Sequence, residues 1–169
     1  MILILTGVSG SGKTTIGKLL SKRTGWPFRD GDDFHSPENI AKMQRGEPLD
    51  DADRAPWLLS IRSAIEAYLE AGQSAIFACS ALKASYREVL RRDDKRIHFV
   101  LLQGSSEIIA DRLALRKGHY MPATLLQSQI DALEPLDNGT QVSVEQSPEL
   151  VADEIASHFH LRRKRNPSV

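Results

Sequence analysis

The amino-acid sequence predicts an α/β fold, in which a parallel five-stranded β-sheet is flanked by helices on both faces. Short apolar runs with strand character alternate along the chain with longer segments of helical apolar spacing, a pattern typical of parallel sheets covered by helices. The 169 residues suit one domain with a sizeable core, and no internal repeat, low-complexity tract or linker divides them.

The predicted elements follow one another in a regular order. Strands are predicted at 2–5, 26–29, 74–79, 97–102 and 141–145, the last of them near an edge of the sheet. Helices are predicted over 15–23, near 36–38, and over 57–69, 84–91, 106–115 and 125–133. The last helix has clear start chemistry, because Ser147 can cap it and Pro148 then occupies its first position.

A glycine-rich motif lies between the first strand and the first helix, where residues 7–14 match the pattern G-x-x-x-x-G-K-[ST]. In this strand–turn–helix setting the pattern indicates a P-loop, whose backbone N–H groups surround a polyphosphate at a helix N-terminus. Lys13 is expected to reach the β- and γ-phosphates, and the Thr14 hydroxyl to ligate Mg²⁺. The sequence therefore predicts a nucleoside-triphosphate site formed by Gly7, Val8, Ser9, Gly10, Ser11, Gly12, Lys13, Thr14 and Thr15.

An acidic segment follows the short second strand, with Asp30, Asp32 and Asp33 within four residues. Open α/β sheets bind ligands at the carboxyl ends of their strands. Carboxylates this close together repel one another unless a cation or hydrogen-bond donors lie among them. If the segment is extended, Asp30 and Asp32 share one side. One is then expected to face Mg²⁺ and the other an acceptor hydroxyl. The alternative is an acidic turn that only caps the helix beginning near Ser36.

The next segment, 46–57, taken alone is a loop that enters a helix. Arg54 would then be an ion-paired arginine and Trp57 a core aromatic residue. The candidate helix caps are Asp50, Asp51 and Asp53. After the third strand, Ser80 and Lys83 place a hydroxyl and an ammonium group at the ligand-facing edge of the sheet.

A basic segment after the fourth strand predicts a mobile lid at about 112–130. Arg112 and Arg116 lie on one helical face, and Gly118 lies in a stretch that interrupts the helix. Such a hinged segment suits closure over a transferring phosphate. The alternative is that both arginines form surface ion pairs with Glu107 or Asp111. The basic tail at about 162–169 is interpreted as a solvated helix end.

Composition excludes several classes of partner. Lysine plus arginine equals aspartate plus glutamate at 22 each, so no net field attracts nucleic acid or an anionic membrane. The apolar N-terminal run is short and lacks the basic lead-in of a signal peptide. No apolar segment approaches the ~20 residues needed to span a bilayer. The single cysteine, Cys79, cannot form an internal disulfide, so a reducing cytoplasm is the simplest location.

Taken together, these motifs resemble those of the gluconokinases, small P-loop kinases that phosphorylate D-gluconate on its terminal hydroxyl. The resemblance extends from Met1 to about Pro135. Tyr120 stands where phenylalanine is expected, and Thr14 and Thr15 replace the commoner Ser-Thr, but both changes keep the chemistry. The matching positions are 7–14, 30–32, 35, 39, 42–43, 46–49, 51, 53–54, 56–58, 79–83, 86–87, 116, 118–119, 121, 125–126 and 128–129.

The resemblance implies a fold like that of nucleoside-monophosphate kinases and a homodimeric enzyme that converts D-gluconate to 6-phospho-D-gluconate with ATP and Mg²⁺. It implies catalytic roles for Lys13, Asp32 and Arg116, with Arg112 assisting the P-loop. Thr14 and Asp30 are the expected metal ligands. The implied gluconate-binding residues are Asp32, His35, Lys42, Arg54, Lys83, His119 and Gln129.

The sequence is also compatible with three alternative functions. The nearest is the same fold acting on another small acid or polyol, with shikimate kinase as the main rival because it also has an Asp-x-Asp after the second strand. A nucleotide-binding regulator without turnover would be expected to lack the lysine or the acidic pair, and Lys13, Asp30 and Asp32 are all present. A kinase of polynucleotide ends would show a basic stripe, whereas only the tail is basic here.

Overall fold

The structure, a computed structural model, describes residues 1–114 and 126–162. Five parallel strands, β1 (Ile2–Thr6), β2 (Phe28–Asp30), β3 (Ala75–Ala78), β4 (Ile97–Gln103) and β5 (Thr140–Ser143), form one sheet in the order β2-β3-β1-β4-β5. The helices are α1 (Lys13–Thr24), α2 (Pro37–Gln44), α3 (Asp51–Glu70), α4 (Ala84–Arg91), α5 (Ser106–Ala114), α6 (Leu126–Asp131) and α7 (Pro148–His158). The predicted fold class is confirmed, and β5 lies at an edge as expected.

The central strand β1 explains how the helices cover both faces of the sheet. Its side chains are buried along the whole strand and alternate between the two faces. Ile2 and Ile4 pack against the core formed with α3 and α4, whereas Leu3 and Leu5 pack against the core formed with α1 and α7. A run without polar alternation therefore becomes a strand buried on both faces.

The second strand is shifted from its predicted position, 26–29. The backbone carbonyl of Trp26 accepts a hydrogen bond from the Ser21 hydroxyl at 2.7 Å, and Pro27 has no N–H to give to a ladder. The strand therefore begins at Phe28 and ends at Asp30, which brings the first acidic residue to the carboxyl edge of the sheet.

Helix α3 begins six residues before the predicted start at residue 57. Its N-cap is Asp50, whose Oδ1 accepts from the Asp53 backbone N–H at 2.8 Å, while Asp53 Oδ2 accepts from the Asp50 N–H at 2.9 Å. Apolar spacing alone could not find this start, because the first turn of the helix is polar. Of the three candidate caps, Asp50 and Asp53 form a reciprocal capping box.

Replacement of Asp50 by alanine should lower the free energy of unfolding by about 1 kcal/mol, since it removes an N-cap. Urea denaturation followed by circular dichroism measures the change. Asp33→Ala is the matched control, because it removes an exposed aspartate that makes no side-chain hydrogen bond within the described part of the chain. Equal stability of the two variants would contradict the assignment of the cap.

Some sequence predictions fall outside the described residues. Arg116 and His119 are among them, together with residues 115–125 of the predicted lid and residues 163–169 of the predicted tail. Within the ranges that the structure does describe, no helix is long and apolar enough to cross a membrane.

Candidate active site

The P-loop connects β1 to α1 at the carboxyl edge of the sheet. Gly7 has a φ of 133° and Gly12 a φ of 93°, values that residues with a side chain rarely adopt. A Cβ atom at Gly7 would also lie 2.7 Å from the Leu102 carbonyl oxygen. Gly12 caps α1 without a side chain of its own, so no side chain of the cap residue bonds the first N–H groups of the helix. Such a helix N-terminus favours an anion.

Lys13 folds back over this loop. Its Nζ donates hydrogen bonds to the backbone carbonyls of Gly7 and Val8, both at 2.9 Å, and the residue is partly buried. The ammonium group is therefore held beside the backbone that would surround a phosphate chain. Its predicted contact with the β- and γ-phosphates stays a prediction.

Thr14 and Asp30 join the start of α1 to the end of β2. The Thr14 hydroxyl donates to Asp30 Oδ2 at 2.7 Å. Mg²⁺ is usually held by one or two protein oxygens together with substrate phosphates, and these two oxygens fit that pattern. Among the described residues no group of three or more His, Cys, Asp or Glu side chains could hold a metal ion on its own.

Asp32 reaches the cleft by a different conformation from the one predicted. The expected extended segment is wrong, because residues Gly31–Phe34 form a 3₁₀ turn. Asp30 Oδ1 accepts from the Asp32 backbone N–H at 3.2 Å, and Trp57 Nε1 donates to the Gly31 carbonyl at 2.7 Å. The turn brings both Asp30 and Asp32 into the cleft, while Asp33 is not among its lining residues. Helix α2 is capped by Ser36 instead.

His35 lies flat against Trp57, with ring centroids 4.5 Å apart and an interplanar angle of 7°. Burial lowers the pKa of His35, Asp32 opposes this shift and Arg54 adds to it, so the neutral imidazole is favoured. Its Nδ1 atom is buried without a hydrogen-bond partner among the described residues.

These groups line one cleft. Gln129 reaches it from α6, and its Oε1 accepts from the Ser9 backbone N–H at 2.6 Å. The cleft is lined by Ser9, Gly10, Gly12, Lys13, Thr14, Asp30, Asp32, His35, Met43, Leu49, Arg54, Trp57, Ala78, Cys79, Ser80 and Gln129.

Other predicted site residues lie outside the cleft lining. Lys42 is bound to Asp53 at 2.6 Å, and Arg112 donates to the Val144 carbonyl at 2.6 Å, not to either of its predicted acidic partners. Lys83 is paired with an aspartate at the start of α3, and Thr15 is exposed on α1. Their roles in binding remain predictions.

Several lining residues were not predicted as site residues. Trp57 is buried as expected of a core aromatic, yet it also supports His35 and the turn that carries Asp32. A signal for this existed, because Trp57 lies three residues after Arg54 and thus on the same helical face. Burial raises the pKa of the Cys79 thiol to about 12, so this lining residue is neutral.

The parallel sheet, the P-loop and the paired carboxylates together define a P-loop kinase. The sequence model of the shikimate kinase family matches residues 9–160. The gluconokinase of Gluconobacter oxydans is 49% identical over 160 residues, which are 93% of this chain and 90% of that protein. The chain belongs to the gluconokinases, within the shikimate kinase family.

Two solved structures are similar over nearly the whole chain. A sugar kinase from Janibacter sp. HTCC2649, in an unliganded crystal structure, has a TM-score of 0.89 and 45% sequence identity, with 95% of this chain and 94% of that chain covered. A gluconokinase from Sinorhizobium meliloti 1021 has a TM-score of 0.77 and 38% identity, with 94% of each chain covered.

Proposed function

We propose that this protein transfers the γ-phosphoryl group of ATP to the terminal hydroxyl of D-gluconate, giving 6-phospho-D-gluconate and ADP. The observation that carries the proposal is a single cleft that joins the P-loop to a carboxylate, an imidazole and a guanidinium group, those of Asp32, His35 and Arg54. The gluconokinases that are 49% and 38% identical support this choice of acceptor.

The phosphate half of the cleft suits a nucleoside triphosphate. The loop N–H groups and the Lys13 ammonium neutralise phosphate charge, which is the main task of the protein in phosphoryl transfer. Thr14 and Asp30 would hold Mg²⁺, since their oxygens meet beside the loop. When bound, the metal ion supplies positive charge for the β- and γ-phosphate oxygens.

The other half of the cleft suits a hydroxylated acid. The planar fork of Arg54 fits a carboxylate, and neutral His35 can bond a hydroxyl of the acceptor. Asp32 orients the terminal hydroxyl towards the phosphate and takes its proton. An unpaired polar group in such a site costs roughly 1–3 kcal/mol, so a sugar without a carboxylate would bind less well.

Arg54→Gln should raise the KM for gluconate about 10- to 100-fold, with a much smaller effect on kcat, since it removes a charged hydrogen bond made equally in ground and transition states. Steady-state kinetics at saturating ATP measure both constants. Arg45→Gln is the matched control, because Arg45 is exposed and bound to Glu47. An unchanged KM in Arg54→Gln would remove Arg54 from the acceptor site.

A panel of acceptors tests the function directly. ADP release coupled to a reporter enzyme should depend strongly on gluconate, and much less on shikimate or on other sugar acids. Shikimate as the preferred acceptor would favour the wider family activity over the proposed one. Release of ADP at the same rate without any acceptor would overturn the proposal.

Other proposed features rest on the family resemblance. The lid residues Arg112, Arg116 and His119 approach the phosphates and the acceptor on closure, and Lys42, Lys83 and Gln129 contribute to gluconate binding. The protein is a homodimer, which light scattering on the purified protein tests. A cytoplasmic location is supported by Cys79, a buried free thiol.

A further inference from the structure

We infer that Tyr86 and Asp51 are positioning residues that fix the guanidinium of Arg54 for the carboxylate of the acceptor. The inference rests on the proposed function and deepens it, because it explains how the site holds an acid. In addition to its predicted contact with gluconate, Lys83 supports Arg54 indirectly by holding Asp51.

The four side chains form a continuous chain of contacts between α3 and α4. Arg54 Nη1 donates to the Tyr86 hydroxyl at 3.3 Å, and its Cζ lies 5.8 Å from the centroid of the Tyr86 ring. The Tyr86 hydroxyl in turn donates to Asp51 Oδ1. Lys83 Nζ donates to both carboxylate oxygens of Asp51, at 2.7 Å and 2.9 Å.

The numbers of donors and acceptors on these side chains determine which group donates in each hydrogen bond. A tyrosine hydroxyl has a single proton, and here that proton goes to Asp51. The oxygen lone pairs of Tyr86 are then available to accept from Arg54. The guanidinium group has five N–H donors, so one bond to Tyr86 orients it and leaves further donors for a planar carboxylate.

The charges of these groups explain why Arg54 is bound to a neutral hydroxyl, that of Tyr86. Hydrogen bonds from Lys83 first, and then from Tyr86, hold the pKa of the Asp51 carboxyl below its ordinary value, so this group stays ionised. The bond to Asp51 raises the pKa of Lys83, which stays protonated. Lys83 thus neutralises the charge of Asp51. Arg54 is bound to an uncharged hydroxyl, so its positive charge is available to the ligand.

Burial indicates that positioning, not stability, is the main effect of this arrangement. Tyr86 is only 7% exposed, so its hydroxyl has a fixed place beside the cleft. The Asp51 side chain is 67% exposed, and an ion pair in such a position contributes little to folding. Arg54 and Asp51 both lie in the first turn of α3, which the capping box of Asp50 holds in place.

Tyr86→Phe tests the inference, because it removes the hydroxyl and keeps the ring. The KM for gluconate should rise about 3- to 10-fold, the range for one lost hydrogen bond, while kcat and the KM for ATP stay nearly constant. Tyr68→Phe is the matched control, since Tyr68 is a partly buried tyrosine of α3 that packs edge-on against Phe77 away from the cleft. An unchanged KM in Tyr86→Phe would overturn the inference.

A double-mutant cycle with Arg54→Gln separates positioning from a general effect on structure. If Tyr86 acts through Arg54, adding Tyr86→Phe to Arg54→Gln should raise the KM no further. The same rise in both backgrounds would show that Tyr86 acts by another route, and the inference would be wrong. Asp51→Asn changes an exposed residue and leaves the Tyr86 ring in place. It should also raise the KM for gluconate, and it provides a second variant if Tyr86→Phe does not fold.

The activity of the wild-type protein separates a failure of the proposed function from a failure of the role given to Tyr86 and Asp51. Its failure to phosphorylate gluconate would overturn the proposed function itself. Normal wild-type turnover together with an additive cycle would leave the function standing and reject only the role of Tyr86 and Asp51.

Discussion

Replacement of Lys13 by alanine should lower kcat/KM by about 10²- to 10³-fold or more, the loss typical of removing one group that stabilises transition-state charge. The side chain extends from the first residue of α1 to the loop carbonyls, so its ammonium group lies beside the loop that is proposed to bind the phosphates. Initial rates of ADP release with gluconate measure the effect. Circular dichroism and a melting curve show whether the fold is kept.

Lys18→Ala is the matched control for this prediction. Lys18 lies on the same helix, is exposed and does not line the cleft. It should therefore retain full activity. If a folded Lys13→Ala protein worked nearly as well as Lys18→Ala, the assignment of the ATP site would fail.

Asp32→Asn should lower kcat by about 10²-fold or more, because the amide keeps the shape of the side chain but cannot accept the proton of the acceptor hydroxyl. The KM for ATP should change little, since the P-loop is untouched. Rates at saturating gluconate and ATP measure kcat directly.

Asp33→Asn provides the comparison for Asp32. Both aspartates lie on the same 3₁₀ turn, but only Asp32 lines the cleft. The effect of Asp33→Asn should be much milder. Similar losses in both variants would mean that the acidic segment acts through its total charge and not through one placed carboxylate.

Local sequence signals were sufficient for much of the fold and for the phosphate half of the site. The run from Ile2 to Leu5 has no polar alternation, and the P-loop follows it at once, so strand, loop and helix could be placed from neighbouring residues alone. Asp30 was placed correctly at the end of its strand. Asp32 does line the cleft, but a turn and not an extended segment brings it there, and its catalytic role stays a prediction.

The acceptor half of the site depends on contacts between residues far apart in the chain. The hydrogen bond between Arg54 and Tyr86 joins two helices, and no spacing rule along the chain reports it. The same holds for Lys83, whose partner Asp51 lies 32 positions earlier. A sequence pattern indicates which residue types are present, whereas the direction of each donor follows only from the packed structure.

The central position of β1 also determines when the growing chain can bind nucleotide. Ile2 pairs with Ala75 on one side and with Ile97 on the other, so β1 is completed only by strands made much later. Parallel sheets with such distant pairings fold slowly, and their apolar strands remain exposed to aggregation in the meantime. A nascent chain that stops before β4 would leave β1 without one of its two neighbours and the P-loop without its support. Nucleotide binding is thus expected only after β4 has been made, although the loop responsible for it is made long before.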